Sequence, residues 1–244
     1  MRITALRIWK ITMLVLFALL VGAGFNRPIT AQSPELQEKL AAIQQAAAQN
    51  KQAIAQYTWV EQVTINLKGE QKKVEHFQVR LGPDGKPQKT SLDPPPAPPE
   101  EGGRQHRVKE HVVEKKKEEY KDYADQMKEL AQQYVPPDKD LLQQAYQQGN
   151  IALAPAAGDP GVFQLIVHNY LKPQDSLTLT FDKTQKALLQ VQIASYMDDP
   201  KDAMNLKVQF ARLPDGTNHV SNLVIDGVSK QLNIAIQNSA YQHL

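Results

Sequence analysis

Residues that could do chemistry are spread along this chain without forming a recognisable catalytic or metal-binding motif. The chain has six histidines and no cysteine. His106 and His111 form the closest histidine pair, and on a helix five residues separate two side chains by about 140°. Zinc-binding histidines on one helix face are instead four residues apart. We therefore expect a solvated histidine pair and predict no metal site.

The motifs for nucleophiles and phosphate binding are also missing. No serine lies in a Gly-x-Ser-x-Gly turn, and Gly102-Gly103 is not followed by the Gly-Lys-Ser/Thr of a phosphate loop. Asp198, Asp199 and Asp202 form the densest acidic cluster, which lacks the alternating spacing and closing glutamate of a calcium loop. Carboxylates that converge only in three dimensions stay open as a hydrolytic alternative. We predict a non-enzymatic protein that needs no cofactor.

The first 31 residues have the layout of a secretory signal peptide. Arg2, Arg7 and Lys10 form a positive region, Ile11–Ala23 is apolar, and Ile29-Thr30-Ala31 offers small residues before a cleavage site. A retained membrane anchor is the alternative, although the apolar run is shorter than the roughly 20 residues that a spanning helix needs. Either way we expect the rest of the chain to be exported, as a periplasmic or otherwise extracytoplasmic domain.

Charge argues against a nucleic-acid partner. The full chain carries a formal net charge of +2. Residues 1–31 contribute four of the 28 basic residues and no acidic residue, which leaves 24 basic residues against 26 acidic ones, a net charge of −2. The basic balance is thus a property of the signal peptide, and no strongly basic surface is predicted. Without cysteine, an exported domain must be stabilised by its core.

Alternation of apolar and polar residues is the strongest structural signal, and it runs from Val162 to Asn238. Side chains on a strand point to opposite faces in turn, so this pattern predicts strands with one buried and one solvated face. Turn sequences such as Pro214-Asp215-Gly216 and Asp226-Gly227 separate the strands. The segment is therefore predicted to form an antiparallel meander of about six strands.

The first half of the chain predicts helices and hairpins. Helical spacing of apolar residues covers 34–57, 104–135 and 138–148. Period-two alternation covers 59–67, 74–81 and 88–92. A proline-rich loop over 93–103 opens a helical insertion that extends to residue 150. We predict a single α+β domain over residues 32–244.

Two segments of the meander resemble those of a known group of exported proteins. The segment LTLTFDKTQKALLQV, Leu177–Val191, is similar to a strand, turn and strand of the LolA-like periplasmic lipoprotein carriers. The segment FARLPDGT from Phe210 and the strand after it resemble the same group, as does the order of helix, hairpins, helical insertion and meander. The resemblance implies an α+β fold whose strongly curved antiparallel sheet, an incomplete β-barrel, is covered by helices and encloses an apolar cavity. Carriers of this group hold acyl chains there, and related sensor domains bind envelope signals.

The apolar faces of the strands supply the candidate ligand-binding residues. Eight residues of matching phase form the candidate lining: Trp59, Val63, Phe77, Val79, Leu179, Phe181, Val208 and Phe210. A dry core and a ligand cavity need the same residue types, so both interpretations stay open. The predicted function is a non-enzymatic binding module for an apolar ligand such as a lipid or lipoprotein acyl chain. The alternative is a structural or protein-interaction component of the envelope, with the charged helix and proline-rich loop as contact surfaces.

Overall fold

The computed structural model describes residues 34–95, 104–135, 137–156 and 159–244. The predicted signal peptide at 1–31 and most of the proline-rich loop lie outside the described residues. Three helices are described: α1 (Pro34–Ile54), α2 (Arg104–Tyr134) and α3 (Lys139–Gln147). Ten strands are described: β1 (Tyr57–Leu67), β2 (Glu70–Leu81), β3 (Pro87–Ser91), β4 (Ile151–Pro155), β5 (Val162–His168), β6 (Ser176–Asp182), β7 (Ala187–Tyr196), β8 (Ala203–Arg212), β9 (Asn218–Gly227) and β10 (Leu232–His243).

All ten strands belong to one antiparallel sheet in the order β3-β2-β1-β10-β9-β8-β7-β6-β5-β4. Strands β4 to β10 form the predicted meander, extended by one strand, and each pairs with its neighbour in the chain. The N-terminal strands β1–β3 join the meander at β10. β1 pairs with β10, with Leu67 opposite Leu232 and Val63 opposite Ile236, for example. β3 and β4 remain as the two free edges, so the sheet is open.

One face of this sheet is apolar along most of its length. β1 alternates buried and half-buried residues, and β6 and β8 alternate in the same way. Cross-strand neighbours then match: Leu165 lies opposite Leu179, and Leu179 lies opposite Val191. This phase match gathers the buried side chains of the strands into one contiguous core, which is the main stabilising feature of a chain without disulfides.

All three helices contribute side chains to that core. α2 buries Tyr123, Met127, Leu130 and Tyr134 at steps of three or four residues, which places them on one face of the helix. α2 approaches the sheet closely at Gly227, where an added Cβ would lie 2.5 Å from Tyr123 Cε1. α3 begins at Lys139, after the N-cap residue Asp138, whose carboxylate accepts bonds from the Asp140 and Leu141 amides.

The expected α+β fold, with an incomplete β-barrel covered by helices, is wrong. The ten strands hold more residues than the three described helices, and their sheet ends in two free edges that do not pair with each other. The described helices pack on parts of the apolar face and do not form a complete cover. The physical reason is that an antiparallel sheet with one buried face needs neither closure nor a full helical layer. The architecture is a wide open antiparallel sheet with a few helices packed against it.

Most predicted elements are confirmed, and one strand was missed. The six strands predicted between Val162 and Asn238 correspond to β5–β10, and the three helices differ from prediction by up to three residues at their ends. β4 at Ile151–Pro155 was missed because it is a short edge strand that ends in proline. Across the described ranges, no helix combines the length and apolar character that a membrane crossing requires.

Candidate functional site

A cleft opens between α1 and the turns at one end of the sheet. Its volume is about 340 Å³, toward the lower end of the range typical of small-molecule sites. Ile43 and Ala46 line its helix side, while Phe181, Leu188 and Phe210 line its sheet side. All are buried except Ala46 and Phe210, which are half-buried. The cleft therefore has an apolar floor.

One asparagine pair ties α1 to the start of β9 beside the cleft. Asn50 Nδ2 donates to the Asn218 carbonyl at 2.7 Å, and the Asn218 amide donates to Asn50 Oδ1 at 2.6 Å. The Asn218 side chain in turn donates to the Leu188 carbonyl at 2.8 Å. Both hydrogen-bonding atoms of the Asn50 amide thus hold the backbone where β9 begins, and they fix the width of the cleft at that point.

The turn between β8 and β9 forms the rim opposite the helix. The Asp215 carboxylate accepts bonds from the Thr217 amide at 2.9 Å, the Thr217 hydroxyl at 2.8 Å and the Tyr57 hydroxyl at 2.7 Å. Led by the Thr217 amide bond, these contacts lower the pKa of Asp215. The bond to Asp215 is the main reason why the pKa of Tyr57 is raised. Asp215 is therefore an ionised group whose hydrogen bonds serve the turn.

Arg212 lies at the end of β8, two residues after Phe210. Its Nε donates to the Gly216 carbonyl at 3.0 Å, and Nη1 lies 3.4 Å from Gln185 Oε1. Gly216 has φ +88°, and a Cβ there would lie 3.4 Å from Arg212 Nη2. The guanidinium is thus oriented by the turn at the edge of the cleft.

The eight predicted lining residues do not share one cavity. Only Phe181 and Phe210 line the cleft. Val63, Leu179 and Val208 belong to the buried core, and Phe77 packs against it half-buried. Trp59 and Val79 are buried near β2 and β10, where Trp59 stacks on Tyr241 with ring centroids 5.5 Å apart. The structure therefore brings the eight onto one face of the sheet and places two of them at an open space.

Polar groups also lie on the buried face, close to Trp59. Glu61 is fully buried and pairs with Lys89 of β3. Burial is the largest effect on the pKa of Lys89 and lowers it, whereas the Glu61 charge acts to raise it. Three buried polar atoms there have no hydrogen-bond partner among the described residues: Trp59 Nε1, Glu61 Oε2 and Asn238 Oδ1. Asn238 lies directly opposite Glu61 in the β1–β10 register.

The sequence analysis did not predict the polar residues at the cleft or those close to Trp59. Glu61 falls in phase with Trp59 and Val63, and Arg212 falls in phase with Phe210. For Glu61 the available signal was a charged residue at an inward position of an alternating strand, and for Arg212 it was a cation two residues after Phe210 at the end of a strand. Asn50 and Asn218 gave no such signal, because their pairing depends on how α1 docks.

No metal-binding cluster of three or more His, Asp or Glu side chains occurs in the described part of the chain. His76 bonds Asp93, with Nδ1 2.9 Å from Oδ1. His219 lies against the Tyr241 ring, with centroids 4.2 Å apart, and burial lowers its pKa. These histidines have structural neighbours and do not converge on the cleft.

Comparisons with known proteins give one distant structural match. No family model matches the chain, and no curated protein matches it. A crystal structure of a DUF1329 family protein from Desulfovibrio piger aligns over 84% of this chain and 92% of its own length, with a TM-score of 0.39 and 11% sequence identity. This is a distant structural neighbour, and the similarity to LolA-like carriers stays a prediction.

Proposed function

We propose that this protein is an exported, non-enzymatic binding module that holds an apolar ligand, such as a lipid or an acyl chain, in the cleft beneath α1. The observation that supports the proposal is the open space of about 340 Å³ over an apolar floor of Ile43, Phe181, Leu188 and Phe210. Elsewhere the apolar face is packed into a core. A cavity of this size takes part of an acyl chain and leaves the rest at its mouth.

The test is to fill the cleft from its helix side. Ala46 lines the cleft, whereas Ala48 is exposed on the same helix and does not line it. We expect the wild-type chain to bind a neutral fluorescent acyl probe, A46W to lose at least about tenfold in affinity by occluding the floor, and A48W to bind as the wild type does.

Two results would contradict this proposal. Equal probe affinity in A46W and the wild type would place the ligand elsewhere. A wild-type protein that captures no apolar probe, and that is free of lipid by native mass spectrometry after purification from its own envelope, would favour the alternative of a structural or protein-interaction role.

A further inference from the structure

The charged groups around the cleft are unevenly balanced. Three cations and one carboxylate line it among the described residues: Lys51, Lys186, Arg212 and Asp215. The carboxylate is already engaged by the hydroxyl of Tyr57 and by Thr217. No ion pair involving any of the three cations is found within the described ranges. The rim of the cleft therefore carries an excess of positive charge, although the chain beyond residue 31 is slightly acidic overall.

Arg212 is the best placed of these cations. The inward face of β8 carries Met204, Leu206 and Val208, and beyond a register irregularity at Gln209/Phe210 both the half-buried Phe210 and the exposed Arg212 line the cleft. Phe210 on the apolar floor and the cation of Arg212 are thus two residues apart on one strand, about 7 Å along it. The guanidinium is held through Nε on Gly216 and Nη1 near Gln185, and Nη2 has no partner among the described residues. A held guanidinium with an available amino group is suited to carboxylate or phosphate oxygens.

We propose that the ligand of this cleft is an anionic amphipath, with its carboxylate or phosphate head on Arg212 and its apolar part on Phe210 and Phe181. This inference rests on the proposed function and adds the charge of the ligand to it. Lys51 and Lys186 supply further positive charge around the head. Asp215 and Arg212 form no ion pair in the described part of the chain, since the Asp215 carboxylate bonds the turn and Tyr57 instead.

The experiment compares three probes with one tail and different heads on the full chain: dodecanoate and dodecyl phosphate below their critical micelle concentrations, and dodecanol below its solubility limit. We expect the wild type to bind at least one of the two anions about tenfold more tightly than dodecanol. R212Q should lose that difference and keep its affinity for dodecanol, which shows that the variant is folded and its cleft intact. R212K should bind the anions with intermediate affinity, since it keeps the charge and loses the bonds to Gly216 and Gln185 that orient the guanidinium.

Lys207 provides the matched control, because it is an exposed cation on the outward face of the same strand. K207Q should bind all three probes as the wild type does. Preference for dodecanoate would identify a carboxylate head, and preference for dodecyl phosphate a phosphate head. Equal wild-type affinity for anions and dodecanol, or an equal effect of R212Q and K207Q on anion binding, would overturn the inference while leaving the apolar site intact. Failure of every probe to bind would instead overturn the proposed function.

Discussion

The Glu61 carboxylate lies fully buried on β1, at an inward position between Trp59 and Val63. Lys89 of β3 pairs with it and is itself almost completely buried. Removing one partner from such a pair leaves an uncompensated charge away from water, which costs far more than the pair contributes. The two charges therefore depend on each other, and they tie the edge strand β3 to β1 across β2.

We expect K89M to lower the free energy of unfolding by up to about 3–5 kcal/mol, because the buried Glu61 charge then loses the Lys89 ammonium and keeps only the nearby buried Lys128. Urea denaturation at neutral pH measures the change. Lys72 and Glu70 form a solvent-exposed pair in the neighbouring hairpin, so K72M serves as the control and should leave the midpoint unchanged. Equal midpoints for K89M and K72M would show that the buried pair does not hold β3 in place.

At the scale of elements, the contact between α2 and the sheet depends on the small size of Gly227. A Cβ at this position would lie 2.5 Å from Tyr123 Cε1 and 2.7 Å from Met127 Sδ. Both neighbours are buried side chains of α2, and the Tyr123 hydroxyl donates to Asp202 Oδ1 at 2.6 Å. Helix and strand therefore approach closely, with no space for a methyl group.

We expect G227A to lower the free energy of unfolding by about 1–3 kcal/mol, because the added methyl group must displace α2 or force Tyr123 from its position. Thermal or urea denaturation measures the loss. The adjacent Val228 is 51% exposed, so V228A should change stability by less than about 0.5 kcal/mol. A G227A variant as stable as V228A would show that α2 can shift over the sheet without loss.

Predictability from sequence differs among these elements for physical reasons. β5–β10 follow directly from alternation, because each strand must bury one face. The pairing of β1 with β10 joins residues such as Val63 and Ile236, which are distant in sequence, and no local pattern encodes it. The cleft depends on the Asn50–Asn218 contact, so its position also lay beyond local patterns. The degree of helical cover was expected from the resemblance to LolA-like carriers and was overestimated, because an apolar stripe on a helix shows that it packs but not how much of the sheet it covers.

At the scale of the whole molecule, the core holds several tyrosine hydroxyls away from water. Burial is the largest of the effects that raise the pKa of Tyr123 and Tyr170 to about 12. It also raises the pKa of Tyr134 and Tyr241. These residues come from α2, from the loop between β5 and β6, and from β10. Their ionisation is therefore linked to the folding of distant parts of one sheet.

We expect the protein to lose stability progressively as the pH rises above about 10, the value near which unfolded tyrosines titrate. A raised folded-state pKa means that the folded chain holds the proton more tightly. The stabilisation is thus complete below the unfolded pKa and is lost as the pH rises through the folded one. Lys89 acts with the opposite sign, because burial lowers its pKa, but several tyrosines oppose this one lysine. Urea midpoints measured between about pH 8 and pH 12 test the trend.

Y241F isolates the contribution of one hydroxyl to this trend. Tyr241 stacks on Trp59 and donates to the Val220 carbonyl at 3.1 Å, so the phenylalanine keeps the ring contact and loses one hydrogen bond and the ionisable group. At neutral pH we expect a loss of about 1 kcal/mol from the hydrogen bond. Above about pH 10 the slope of stability against pH should be shallower than in the wild type, because one fewer tyrosine keeps its proton in the folded chain while losing it in the unfolded chain. An unchanged slope would mean that Tyr241 ionises without cost in the folded protein, and that its end of β10 opens to water before the sheet unfolds.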